Sequence, residues 1–258
     1  MKRTEISLDP THPTLDHHRP GEFPLFGTAM GVSAMIGAVD EATGIDAVAI
    51  HRPFLLTDPA TQQLFVETAS DGVVARVVSD DAIHFEGRVR KTVPKPVENE
   101  PAFDHDFSNA VTAGHIYDSF FHGPAFQLVV AARFTGKSLI SRLSTAPVTL
   151  ALPSHARLIE FALQSAGLLE LALTGRMMIP DRIAHLTVSN RVAFAPRSVV
   201  ANATQCPLGL SDISVLADGH PLLTIKGYAT VALPFAFDPA KLTLLRAALL
   251  ASSRVAAC

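Results

Sequence analysis

Three short segments of the chain carry residue types at spacings that acid–base chemistry could use. The first is Asp16-His17-His18-Arg19-Pro20-Gly21, in a proline-broken stretch that runs through Phe26-Gly27 into an apolar run starting at Thr28. If that run is a helix, a histidine placed just before it sits near unpaired backbone N–H groups and the positive end of the helix dipole. Those groups can hold a developing oxyanion. The plainer alternative is a surface histidine beside Asp16. The second segment is His122-Gly123-Pro124-Ala125-Phe126-Gln127, a tight turn into a strand, preceded by a short aromatic helix containing Tyr117. On its own it reads as an ordinary turn. The third is the pair Glu160 and Gln164, four residues apart and therefore on one helix face. Leu158, Ile159, Phe161, Leu163 and Leu168 surround them. Among such neighbours a carboxyl group is expected to lose solvent, rise in pKa and stay protonated as a general acid. The alternative, that both residues face water, fits poorly with a helix that is apolar nearly all round.

These segments need elements to hold them. The first 27 residues read as irregular, because Pro10, Pro13, Pro20 and Pro24 interrupt any regular structure. Thr28 to about Glu41 has helical spacing, although Gly31 and Gly37 imply that packing must hold it. Short runs at Ala47–Leu56, Gln63–Glu67, Gly72–Val78 and Ala82–Lys91 read as strands separated by Asp-Pro, Asp-Gly and Asp-Asp turns. Thr92 to Gly114, with three prolines and many acidic residues, reads as a linker. The order then repeats. A short helix at Ile116–Phe121 is followed by strands at Phe126–Phe134 and Ser138–Leu143, then a strong helix at His155–Thr174. Further strands follow near Ala184–Phe194, Val199–Gln205, Asp212–Ala217 and Leu222–Leu233. The last strands of the halves are alike, Ile83-His84-Phe85-Glu86-Gly87-Arg88-Val89 against Leu223-Thr224-Ile225-Lys226-Gly227-Tyr228-Ala229. An apolar helix wrapped by one curved antiparallel sheet, present twice, is the α+β architecture this order suggests. The leucine-rich tail after Ala240 reads either as a helix capping the fold or as a docking element for a partner.

Taken together, the three segments resemble the dehydratase domains of polyketide synthases and polyunsaturated fatty acid synthases, which are double hotdog folds. The resemblance runs from about His12 to Pro234. The family's first motif is a histidine, three residues, glycine, four residues and proline; His17 with Gly21 matches its start, and Phe26 stands at the proline position. The second motif, tyrosine-glycine-proline-any-phenylalanine-glutamine, is present with His122 in place of tyrosine. The third, aspartate, three residues, then glutamine or histidine, is present as Glu160 to Gln164 with glutamate for aspartate. The resemblance implies two tandem hotdog units, at 1–91 and 115–236, joined by a linker at 92–114 and followed by a tail helix at 237–258. It implies removal of water from a 3-hydroxyacyl thioester, carried by phosphopantetheine on an acyl carrier protein, to give a trans-2-enoyl thioester. His17 is then the base at the α-carbon, selected over His18 by its spacing to Gly21, and Glu160 the acid for the departing hydroxyl. Gly27 marks the oxyanion site, Gln164 orients the carboxyl, and Tyr117, His122, Gly123 and Phe126 shape the substrate tunnel. No metal or organic cofactor is expected, because the thioester itself acidifies the α-carbon. The implied partners are the carrier protein and other synthase components, and a homodimer is compatible with the family.

Composition narrows the field further. The 258 residues are 48% hydrophobic and only 17% charged, which excludes disorder along the whole length. A net charge of -3 leaves no basic footprint for nucleic acid. The N-terminus has no apolar stretch behind its basic pair, and the longest apolar window is broken by Glu160, Gln164 and Glu170, so no signal peptide or membrane span is expected. Cys206 and Cys258 can form neither a disulfide framework nor a CxxC-type zinc site. A cytoplasmic protein with reduced thiols is the resulting expectation. The spacings of His12, His17, His18, His115 and His122 match no metal signature such as HExxH. Two other functions remain on the same fold: a double-bond isomerase or cyclase, including oxa-Michael or aldol-type ring closure, and a non-catalytic acyl-binding scaffold.

Overall fold

The computed structural model describes residues 1–58, 60–80, 82–92, 106–145, 154–189, 198–232 and 237–253. Most of the expected linker, the end of the strand expected at Ala184–Phe194 and the terminal Cys258 lie outside the described residues. In the first half the elements are β1 (Lys2–Leu8), α1 (Pro13–Asp16), β2 (Leu25–Phe26), α2 (Thr28–Gly37), β3 (Gly44–Ile50), β4 (Phe54–Leu55), β5 (Gln62–Thr68), β6 (Val74–Val78) and β7 (Ile83–Arg90). The second half contributes β8 (Val111–Thr112), α3 (Ala113–Tyr117), β9 (Val129–Phe134), β10 (Ser138–Leu143), α4 (Ser154–Thr174), β11 (Met178–Val188), β12 (Val199–Gln205), β13 (Ser211–Ala217), β14 (His220–Ala232) and α5 (Pro239–Ser252).

One antiparallel sheet runs through both halves in the order β1-β5-β6-β7-β3-β11-β14-β13-β12-β10-β9-β8. Its middle is symmetric: β3 and β11 pair with each other, and β7 and β14, the two strands alike in sequence, flank them. The sheet wraps α2 and α4, which pack against one another. The apolar side chains of both helices meet those of the strands in one core cluster, including Val32, Met35, Phe85, Ile159, Leu168 and Ile225. The symmetry has a polar clasp at its centre. Asp46 on β3 accepts from Arg90 at 2.6 Å and from the His185 ring at 3.0 Å, and Arg90 reaches on to the Leu186 carbonyl and the Thr187 hydroxyl on β11.

The irregular reading of the first 27 residues is corrected here. Lys2–Leu8 pair antiparallel with Gln62–Thr68 over their full length, and Pro13–Asp16 make a helical turn. Ile6 and Leu8 turn inward while Lys2, Arg3 and Thr4 are exposed, so the strand's apolar alternation is confined to its last three residues. The strand expected from Ala184 begins earlier, at Met178, and carries Pro180 beside a register shift. A bulge tolerates a proline that the regular ladder excludes. Helix α5 is started by the Asp238 side chain, which accepts from the N–H groups of Ala240 and Lys241. It docks on the body through buried Leu245 and Leu249, and the Ser252 hydroxyl accepts the N–H of Phe134 at 3.0 Å. Among the described residues no helix is long and apolar enough to cross a membrane.

Candidate active site

A cavity opens at the start of α2, between the two halves of the sheet. Three ionisable side chains from three parts of the chain converge on it: His18 from the segment before α2, His122 from the turn before β9, and Glu160 from α4. His18 and Glu160 are each only 5% exposed.

The placement of His18 follows from backbone pairing. The segment before α2 forms a single antiparallel bridge with the turn containing the second motif, pairing His18 with His122. On the other side of that segment the N–H of Leu25 donates to the His18 carbonyl at 2.8 Å. The His18 side chain therefore enters the cavity, where its Nδ1 lies 3.0 Å from the Leu25 carbonyl. That bond places the proton of a neutral ring on Nδ1 and leaves Nε2 as the basic nitrogen. Burial lowers the His18 pKa, opposed by the charge of Glu160, so the neutral form is favoured. His17 takes the opposite direction. Its carbonyl accepts the N–H of Gly123 at 2.8 Å and its ring nitrogen accepts the N–H of Ala125 at 3.1 Å. Adding a Cβ to Gly123 would bring it within 2.9 Å of the His17 Cβ, so glycine is what allows this approach. The expectation that His17 faces the tunnel is corrected: His17 braces the second-motif turn from behind, and His18 faces the cavity.

Glu160 is buried as expected, but its ionisation differs from the sequence reading. Burial alone would raise its pKa. The His122 ring at 3.2 Å, the nearby charges of His18 and His122, and the Gln164 amide together outweigh burial and lower it to about 2. The missing information was His122, which reaches the carboxylate from a different element. Gln164 is fixed on all sides. Its amide N–H group donates to Glu160 Oε1 at 2.9 Å and to the Phe126 carbonyl at 2.8 Å, and its carbonyl oxygen accepts from the Tyr117 hydroxyl at 2.8 Å. Tyr117 in turn accepts the N–H of Val129 at 2.7 Å, and burial raises its pKa.

Of the residues singled out in the sequence, Gly27, His122, Glu160 and Gln164 line the cavity. Tyr117, Gly123 and Phe126 were expected to shape it directly and instead stand behind it. Tyr117 holds Gln164, Gly123 receives His17, and the Phe126 ring packs 4.8 Å from that of His18. Sequence reasoning missed His18 as the cavity-facing ring, together with Phe120, Phe121 and Tyr228 on the walls. Tyr228 follows Gly227 in the repeated strand motif, a signal that was visible but had no chemical context. Phe26 borders this cavity and a second one lined by residues such as Ile6, His12, Met30 and His155.

Gly27 has a steric role beside its place at the start of α2. It is the N-cap residue, with no side chain capping the helix, and the site of a missing Cβ lies 2.6 Å from His18 Cε1. Gly27→Ala is therefore expected to displace the His18 ring. A shift near 1 Å in a reacting group can cost on the order of a hundredfold in rate, to be read as kcat against the wild type.

The buried pair also predicts a pH dependence of stability. The pKa values of His18 and Glu160 are both lower in the folded chain than their ordinary values of 6.5 and 4.5. Such groups bind more protons when unfolded, so their stabilising contribution is present above the ordinary pKa and is lost as pH falls through the folded one. Urea midpoints are expected to fall as pH drops below 6.5 and to fall further below 4.5, toward 2. Glu160→Gln is expected to flatten the lower part of that curve.

His18, His122 and Glu160 bring one donor atom each within 4.8 Å of one another. Two imidazoles and a carboxylate are also a set that zinc accepts. Here a hydrogen bond links two of the three directly, and the group is read as acid–base machinery.

No protein-family model matches the sequence, and no curated protein matches it. Solved structures do match, by fold. A pyran synthase domain from module nine of the sorangicin pathway superposes with a TM-score of 0.70 at 18% identity, covering 90% of this chain and 93% of that one. The dehydratase domain from the CurJ module of curacin polyketide synthase gives 0.72 at 15%, covering 88% and 91%. A trans-AT polyketide synthase dehydratase domain from Brevibacillus brevis gives 0.68 at 14%, covering 90% and 94%. With two helices inside one continuous antiparallel sheet and this agreement over about nine-tenths of its length, the chain has the double hotdog fold of polyketide synthase dehydratase domains.

Proposed function

We propose that the protein is a lyase that removes water from a 3-hydroxyacyl thioester, presented on the phosphopantetheine arm of an acyl carrier protein, to give a trans-2-enoyl thioester. The observation that carries this reading is the meeting of a buried histidine and a buried carboxylate, one from each half, in a cavity at the start of α2. In the proposed step His18 Nε2 removes a proton from the α-carbon. The electron pair moves onto the thioester carbonyl, whose oxyanion is met by free N–H groups at the start of α2, near Gly27 and Thr28. The enolate then expels the β-hydroxyl, which leaves as water with a proton from the Glu160 side of the cavity. Among the described residues both hydrogen bonds to Glu160 end on Oε1, so Oε2 is the oxygen assigned to the substrate. His18 finally gives up its proton and the site resets. The apolar walls, including Leu163, Met177 and Met178, suit an acyl chain. A cytoplasmic setting with other synthase components goes with this reading.

The test is to incubate the chain with a 3-hydroxyacyl pantetheine thioester and follow its mass. Loss of one water supports the proposal. Rearrangement at unchanged mass indicates an isomerase or cyclase, and an unreactive chain that still binds acyl carrier protein indicates a scaffold.

A further inference from the structure

We infer that His122 and Glu160 hold one proton between them, and that this pair, rather than Glu160 alone, is the acid that releases the departing hydroxyl. The inference rests on the dehydratase reading for its catalytic meaning, but the shared proton itself does not.

The geometry comes first. His122 Nε2 lies 3.2 Å from Glu160 Oε1, and both side chains are buried. The same oxygen accepts from the Gln164 amide at 2.9 Å. Two donors converging on one carboxylate oxygen favour the ionised carboxylate and a proton held on the imidazole side. Charge balance points the same way. An unpaired carboxylate in an apolar cavity is costly, and among the described residues lining this one there is no Lys or Arg to compensate it. The other ionisable groups facing His122 cannot fill that role. His18, with its ring 5.4 Å away, has to stay neutral to act as base. Tyr117, with its ring at 6.4 Å, and Tyr228 on the cavity wall carry no positive charge. Protonating His122 makes the pair neutral, a gain set against a buried Nδ1–H that has no hydrogen-bond acceptor among the described residues. The Phe121 ring stacks on it at 4.2 Å and 22°, an arrangement that favours a cationic ring.

The proton count closes over a turnover. The pair gives its proton to the leaving hydroxyl, forming water, and becomes anionic while His18 holds the α-proton as a cation. Passing that proton from His18 to the pair restores both. The donor atoms of the three residues lie within 4.8 Å of one another, close enough for a single bridging water. His122 is on this account a proton-holding partner of Glu160 rather than only a wall of the cavity.

The decisive experiment uses the full chain, treated with a chelator and labelled with 15N in histidine, the His122 signals being assigned by their loss in His122→Asn. At neutral pH the wild type is expected to show both His122 nitrogens protonated, and Glu160→Gln to return the ring to a neutral pattern. A neutral His122 ring in the wild type overturns the inference whether or not the protein turns over substrate. The kinetic counterpart compares the kcat–pH profiles of wild type and His122→Phe. In the variant the basic limb is expected to move down by about one pH unit or more, with kcat above neutral pH falling roughly tenfold and KM little changed. An unchanged profile would assign the acid to Glu160 alone. Absence of water loss in the wild type would sink the dehydratase reading and leave the histidine spectrum to decide on the pair.

Discussion

His18→Ala is expected to reduce kcat/KM for a 3-hydroxyacyl thioester by roughly a thousandfold, while His17→Ala stays within a few-fold of the wild type. A positioned general base is worth about a hundredfold to ten-thousandfold, and no other side chain among the described residues lining the cavity can take over at the α-carbon. His122 is bound to a carboxylate, and the tyrosines are poor bases in the neutral range. The loss should fall on kcat rather than KM, because His18 acts on the substrate in the transition state and its removal leaves the apolar walls in place. His17 contributes packing behind Gly123 and one hydrogen bond from Ala125. Its replacement is expected to cost stability of about 1 kcal/mol, read from the urea midpoint, and little activity. A large kinetic loss in His17→Ala with His18→Ala near normal would reverse the assignment.

Glu160→Gln is expected to lower kcat by roughly a hundredfold or more while leaving the chain folded. The amide matches the carboxylate in shape and can still accept from Gln164 and His122, so no buried donor is stranded. What it removes is the negative charge that holds a proton on the His122 side and the oxygen that would pass it on. Glu160→Ala is a harsher change. It leaves the Gln164 amide and His122 without their shared acceptor inside a buried site, so destabilisation of several kcal/mol is expected together with loss of activity. Comparing the two by circular dichroism and steady-state rates separates chemistry from folding. A fully active Glu160→Gln would move the acid role to another group.

Much of the architecture could be read before the structure. β10 and β12 match the expected spans, and α4 differs from its expected span only by one residue at the start, because β-branched alternation and a long apolar helical period are local signals. The likeness of β7 and β14 in sequence pointed to a duplication, and the two strands take equivalent places on either side of the central β3–β11 pair. β1 and the first turns of β11 were not legible. In β1 only Ile6 and Leu8 turn inward, and the prolines that follow mask it; in β11, Pro180 looks like a stop although a bulge accommodates it. The site was half legible. Glu160 and Gln164 are on one buried helix face, as their spacing implied. The choice between His17 and His18 was not available locally, because adjacent residues in an irregular segment have no period to orient them. It is decided by the bridge to His122 from far along the chain. The sign of the Glu160 pKa shift was lost for the same reason. Its helical neighbours predict a protonated acid, whereas the imidazole that ionises it arrives from the other side of the cavity.

The most direct measurement is a crystal structure with an unreactive 3-hydroxyacyl pantetheine amide bound. The expected result places the α-carbon about 3–3.5 Å from His18 Nε2, the β-hydroxyl on the Glu160 carboxylate, and the carbonyl oxygen on the N–H groups at the start of α2. An acyl chain seated in the cavity beside Ile6 and Met30, or one whose α-carbon lies beyond the reach of His18, would contradict the account.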